Sequence, residues 1–186
     1  MSEGTFRRIR QIQFLTIVWM TLEAALSLSA AWSAHSPSLA AFGGDSVIEL
    51  LSAAIVLWRF RAQPREGSER LTSRVAGMLL FGLAACVVAA STLSLLGYNQ
   101  PKPSVLGVAV LLAAAVIMPW LAREKRHLSA ISNSAALRAD AAESAVCAYL
   151  AVVALGGLAV EAIWKLRWAD PVAALIITPL IVHEGR

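Results

Sequence analysis

Six stretches of this chain, at about 12–34, 38–58, 75–97, 104–122, 131–160 and 168–183, are predominantly apolar and separated by short polar connectors. A hydrocarbon layer about 30 Å thick needs about 20 apolar residues per helix, and backbone polar groups in lipid must be satisfied inside the helix. The chain therefore reads as an all-α integral membrane bundle of six transmembrane helices, forming a single domain over 1–186. In the fifth stretch the part after Arg138 is the clearly apolar one, and the sixth is short and contains Pro179. The hydrophobic share, 58%, exceeds the 45–50% or so of soluble domains, which agrees. The first stretch follows Arg7, Arg8 and Arg10 as a signal peptide would, but it is too long for an h-region and carries Glu23. It reads as a retained span.

Basic residues set the orientation. With the N-terminus in the cytoplasm, the inner side holds Arg7, Arg8, Arg10, Arg59, Arg61, Arg65, Arg70, Arg74, Arg123, Lys125, Arg126, Arg138 and Arg186. Only Lys102, Lys165 and Arg167 remain outside. Both termini are thus expected in the cytoplasm. The longest connector, Arg59 to Arg74, reads as a mobile basic inner loop. Trp164 and Trp168 read as interfacial anchors. The net charge of +4 is explained by this topology, and no nucleic-acid partner is expected. Cys86 and Cys147 lie within apolar runs and form no CxxC site.

Glu23, Asp45, Glu49, Asp140 and Glu143 lie within the apolar runs. Each ionised acid at a helix centre costs about 2.5–3.5 kcal/mol on insertion scales. With no Lys or Arg expected deep in a span, Arg138 aside, metal ions or protons remain as partners. Asp45 and Glu49 are four apart and share a face of helix 2; Asp140 and Glu143 are three apart and share a face of helix 5. Ser46 and Ser144 add oxygens. If helix 2 starts near 38 and helix 5 near 131, Asp45 and Glu49 lie roughly 10 and 16 Å from the outer edge. Asp140 and Glu143 then lie roughly 16 and 12 Å from it. The pairs would make a four-oxygen site. The competing reading puts acids at helix N-termini, as Asp45 after Gly43–Gly44 and Asp170 before Pro171 suggest. Glu23 shares a stripe with Thr16 and Ser27 and fits either an access path or an inter-helix hydrogen bond.

The segments GGDSVIE opening helix 2, RADAAES opening helix 5 and WADPVAALII opening helix 6 resemble the cation diffusion facilitators, from about residue 12 to 183. The resemblance implies a metal site shared by helices 2 and 5, and exchange of metal for protons. Asp45 and Glu49 match the helix 2 pair, and Asp140 matches the second acid of the helix 5 pair. The first helix 5 position falls on Ala136, which cannot bind metal; Glu143, Ser144 or water are the candidate replacements. The family's cytoplasmic ferredoxin-like domain and its histidine-rich loop have no counterpart here, so the chain looks like a short relative.

The expected function is divalent-cation transport, with zinc efflux by proton–metal antiport as the leading form. No prosthetic group is expected, and no enzymatic motif such as HExxH occurs. A metal-free site should hold protons and release them as M²⁺ enters, and small faces (Ala139, Ala142 and Ala148) would let helices rock. Oxygen ligands suit manganese, magnesium or iron, and cobalt is a further candidate; the resemblance favours zinc. Cys147 is either a soft ligand on the face of Asp140 or a small buried residue, and His35 either captures metal or is idle. The resemblance further implies a homodimer, and the topology suits the inner cell membrane. Two alternatives stand: a proton-coupled exporter of organic cations, which would need an aromatic-lined cavity, and a non-transporting metal-binding partner protein.

Overall fold

The computed structural model describes residues 3–59, 67–98 and 100–184. Arg61, Arg65 and Arg186, which contribute to the expected orientation, lie outside the described residues, as do residues 60–66 of the expected inner loop. Six helices run in order: α1 (Glu3–Ala34), α2 (Pro37–Arg59), α3 (Gly67–Leu95), α4 (Val105–Ser132), α5 (Ala135–Trp164) and α6 (Ala169–Glu184). Helices α1 to α5 contain windows long and apolar enough to cross a membrane, and α6 is a shorter apolar helix. The outward faces carry Trp32, Met78, Val105, Val116 and Ile163, all largely exposed. Such a surface suits lipid and not water.

Contacts define two layers. Helices α1, α2, α4 and α5 close a ring through the α1–α2, α2–α5, α4–α5 and α1–α4 interfaces, while α3 and α6 pair beside it against α2 and, for α6, α5. At one end the Lys102 N–H donates to the Ala34 carbonyl (2.8 Å). Asp170 there accepts from the Ser36 hydroxyl (2.8 Å) and from Ser38. Asp170 lies in the first turn of α6, so it meets both the dipole and inter-helix donors. At the other end Arg8 pairs with Glu124 at 3.0 Å.

Several boundaries depart from the sequence expectation, and those at the α4–α5 turn do so for a local reason. α4 continues through Ser132 because its apolar spacing persists past the charged cluster, with Leu121, Lys125, Leu128 and Ser129 all buried. It ends at Asn133, left-handed (φ 49°), whose N–H returns to the Ser129 carbonyl. Ser134 then caps α5 by accepting from the Leu137 N–H, so α5 starts at Ala135 and not near 131. Asp140 accordingly lies only about 8 Å along α5 from its first residue, towards the α4–α5 turn. α3 starts at Gly67, so the expected loop as far as Arg74 is helical from there. α2 begins at Pro37, which puts Asp45 well inside the helix and removes its role as a cap.

Glycine permits the closest helix contacts. A Cβ on Gly157 would lie 2.5 Å from the Ala173 Cβ across the α5–α6 interface, whereas one on Gly156 would meet nothing within 4 Å. Gly157→Val should therefore destabilise the detergent-solubilised protein by about 1–3 kcal/mol, lowering its thermal midpoint, while Gly156→Ala leaves it unchanged or slightly raised. Equal effects of the two would contradict this packing.

Candidate cation site

The ring encloses a polar column, with Gln13 and Glu23 on α1, Glu49 and Ser46 on α2, Lys125 on α4, and Asp140, Ser144 and Cys147 on α5, all of it buried. Its centre is an ammonium. Lys125 Nζ lies 3.0 Å from Asp140 Oδ1 and 3.6 Å from Glu49 Oε1, and donates to Ser144 Oγ at 2.7 Å. The Lys125 side chain has no exposure. Ser144 in turn donates to Glu49, and Gln13 Nε2 donates to the other Asp140 oxygen at 2.6 Å.

This corrects the expectation that no basic residue enters a span. Arg138 is exposed, whereas Lys125, placed among the inner-side charges, turns into the bundle. Its neighbours Arg123, Arg126 and His127 are exposed on the other face of the same helix. Gln13 likewise joins the column without being singled out by charge or spacing to the acids. Both had a signal in the sequence: Gln13, Thr16, Met20, Glu23 and Ser27 recur at helical spacing on α1 and are all buried, and Lys125 continues the buried spacing of α4.

A second polar group lies farther along α1. Ser46 Oγ donates to Glu23 Oε1 at 2.7 Å, which realises the inter-helix hydrogen bond considered for Glu23. Cys147 Sγ reaches the same oxygen at 3.6 Å, so this thiol is buried beside the acids. Asp45 is buried one turn before Glu49, and Glu143 is half-buried one turn after Asp140, with Ser52 beside it. Glu49, Asp140 and Ser144 are thus drawn to one point; Glu23 and Cys147 form a neighbouring group. Among the described residues no three His, Cys, Asp or Glu side chains converge closely enough to hold a metal ion. Lys125 and Ser144 stand between them.

Donors are scarce. Among the described residues, buried Glu23 Oε2, Glu49 Oε2, Glu143 Oε2 and Gln13 Oε1 have no hydrogen-bond partner. A buried acceptor left unpaired costs about 1–3 kcal/mol, and more when charged. One ammonium stands against five carboxylates in or beside the column. The arrangement can accept further positive charge as protons or a cation. His35 is exposed in the α1–α2 turn, and of the three alanines on α5 only Ala148 is buried.

A multi-span helical bundle with carboxylates gathered inside it defines a membrane transporter class. The sequence matches the cation efflux transmembrane domain over residues 14–186, and the chain belongs to that family. It is a multi-pass membrane protein of a metal-cation efflux transporter family, with metal cations as its substrates. No curated protein matches the chain significantly.

Removing one partner of a buried ion pair strands the other. Asp140→Asn should lower stability by about 3–5 kcal/mol, and adding Lys125→Met should recover part of that loss, so the two effects are not additive. The pair Arg8–Glu124 is open to solvent, and Arg8→Ala should shift the thermal midpoint very little. Additive effects of the two buried substitutions in thermal unfolding would refute the coupling.

Proposed function

We propose that the protein exports a divalent metal cation from the cytoplasm in exchange for protons, with zinc as the leading substrate. The observation that carries the reading is that Asp140 of α5 and Glu49 of α2 already offer oxygens to one positive centre, at 3.0 and 3.6 Å. Asp45 and Glu143, one helical turn away on the same helices, complete the proposed ligand set, with Ser144 contributing a hydroxyl. Glu23 and Cys147 form the next station along the column. Zinc is favoured over harder ions by the thiol of Cys147, buried against Glu23; manganese, iron and cobalt suit the oxygen donors.

Proton coupling follows from the same scarcity of donors. Carboxylates that lack partners in an apolar interior hold protons when no metal is present and surrender them to an entering cation. Alternating exposure would come from rocking of the α1–α2 and α4–α5 hairpins around the column. Cytoplasmic ends, residence in the inner cell membrane and a homodimeric state belong to this proposal. A second reading, a metal-binding partner protein that does not transport, draws support from Lys125, because a resident ammonium can stand permanently where the metal would pass.

The test is uptake into proteoliposomes under an imposed pH gradient, with Zn²⁺, Mn²⁺, Fe²⁺ and Co²⁺ compared. We expect Zn²⁺ uptake that collapses when an ionophore dissipates the gradient. Asp140→Asn and Glu49→Gln should each reduce it by at least about tenfold, since even the loss of a group that only orients a metal ligand costs about 10–100-fold. Binding without flux in the folded wild type would favour the partner protein. Flux unaltered by either substitution would overturn the site.

A further inference from the structure

Lys125 occupies the point at which the acids of α2 and α5 meet, and this has a chemical consequence. Divalent metals bind carboxylate oxygens at about 2.0–2.2 Å. A metal held by Asp140 and Glu49 would therefore stand within a few ångströms of an ammonium already 3.0 Å from one and 3.6 Å from the other. Two cations that close, in an interior of low dielectric constant, repel strongly. They cannot share the site.

Resting on the transport reading above, we infer that Lys125 is a tethered counter-ion that holds the Asp140–Glu49 position in the metal-free protein, and that an entering divalent cation must expel it. The ammonium is suited to such a role: it is a compact charge on a flexible stem. Its contacts are two acids and one hydroxyl, so it fills the oxygens without covalent commitment. Glu49 Oε2 and Glu143 Oε2 stay without partners around it, so the occupied position still has acceptors for an arriving cation. The nearest carboxylate on its own helix, Glu124, is already engaged by Arg8. The displaced ammonium has water to reach at the α4–α5 turn, beyond exposed Arg126 and His127. Pro119 lies inside α4 before Lys125. Its missing N–H weakens the helix there and lets the terminal half, Lys125 included, bend.

Lys125 is thus a positioning residue that sets the affinity of the site. While the ammonium occupies the acids the site is closed to metal, and the apparent affinity falls by the fraction of time it is open. The lysine keeps affinity low enough for release. It also excludes ions whose attraction to the acids is too weak to displace it, monovalent cations above all.

Two measurements on purified full-length protein test this. In titration calorimetry with Zn²⁺ and Mn²⁺, Lys125→Met should bind about tenfold tighter or more than wild type. Lys125→Arg, which retains a charge able to fill the position, should not bind tighter. The second uses wild type alone, so it decides the matter if Lys125→Met does not fold. Acetylation by an amine-reactive ester, read by mass spectrometry, should leave Lys125 unmodified without metal and modify it several-fold more with saturating Zn²⁺. Exposed Lys102 and Lys165 serve as internal references that stay constant. Unchanged or weaker binding by a folded Lys125→Met, or a Lys125 that remains shielded at saturating metal, overturns the inference and leaves the transport reading intact. Absence of Zn²⁺ and Mn²⁺ binding in both wild type and Lys125→Met overturns both.

Discussion

Charge buried away from water governs this bundle. Taking a carboxylate or an ammonium out of water costs several kcal/mol even after the protein relaxes, and the ring of α1, α2, α4 and α5 encloses both kinds. The Lys125–Asp140–Glu49 group, with Ser144 and Gln13 supplying hydrogen bonds, is the arrangement that makes their burial tolerable. The rest of the fold serves that centre. Small residues at Gly43 and Gly157 bring helices close enough to exclude lipid, and α3 and α6 cover one flank.

The balance is deliberately incomplete in chemical terms: the acids outnumber the donors. A column built only for stability would pair every acceptor or replace the ions with hydrocarbon, which in many proteins is neutral or stabilising. Unpaired oxygens on Glu23, Glu49 and Glu143 instead give the interior a standing affinity for positive charge. That property links the architecture to the cation efflux family to which the chain belongs.

How far the sequence speaks depends on which physical signal is asked for. The six helices are legible because length and hydropathy alone decide whether a segment can cross a bilayer. Same-face spacing is enough to single out Glu49 and Asp140, whose oxygens meet at one ammonium. Lys125 is hidden for the opposite reason. It lies in an Arg–Glu–Lys–Arg run, and such a run ordinarily marks the cytoplasmic end of a span, whereas here the two arginines face outward, Glu124 is half-buried against Arg8 of α1, and Lys125 faces in. Only the buried spacing from Leu121 to Ser129 distinguishes it. The start of α5 is misjudged from sequence because Asn133 and Ser134, which end α4 and cap α5, lie inside what reads as one apolar run. Gln13 escapes notice as a single amide among aliphatic residues.

The tight turn at Asn133–Ser134 bears on how force is transmitted. It joins α4 and α5 so closely that the two helices form one lever, and Lys125 and Asp140 ride on the same arm. Glu49 rides on the other arm, beside α1. Were the arms to rock as proposed with Lys125 in place, the 3.0 Å bond to Asp140 would travel with its arm, and the 3.6 Å contact to Glu49 would be the one to open or close. The longer of the two contacts is thus a gauge of the angle between the arms, written in electrostatic energy.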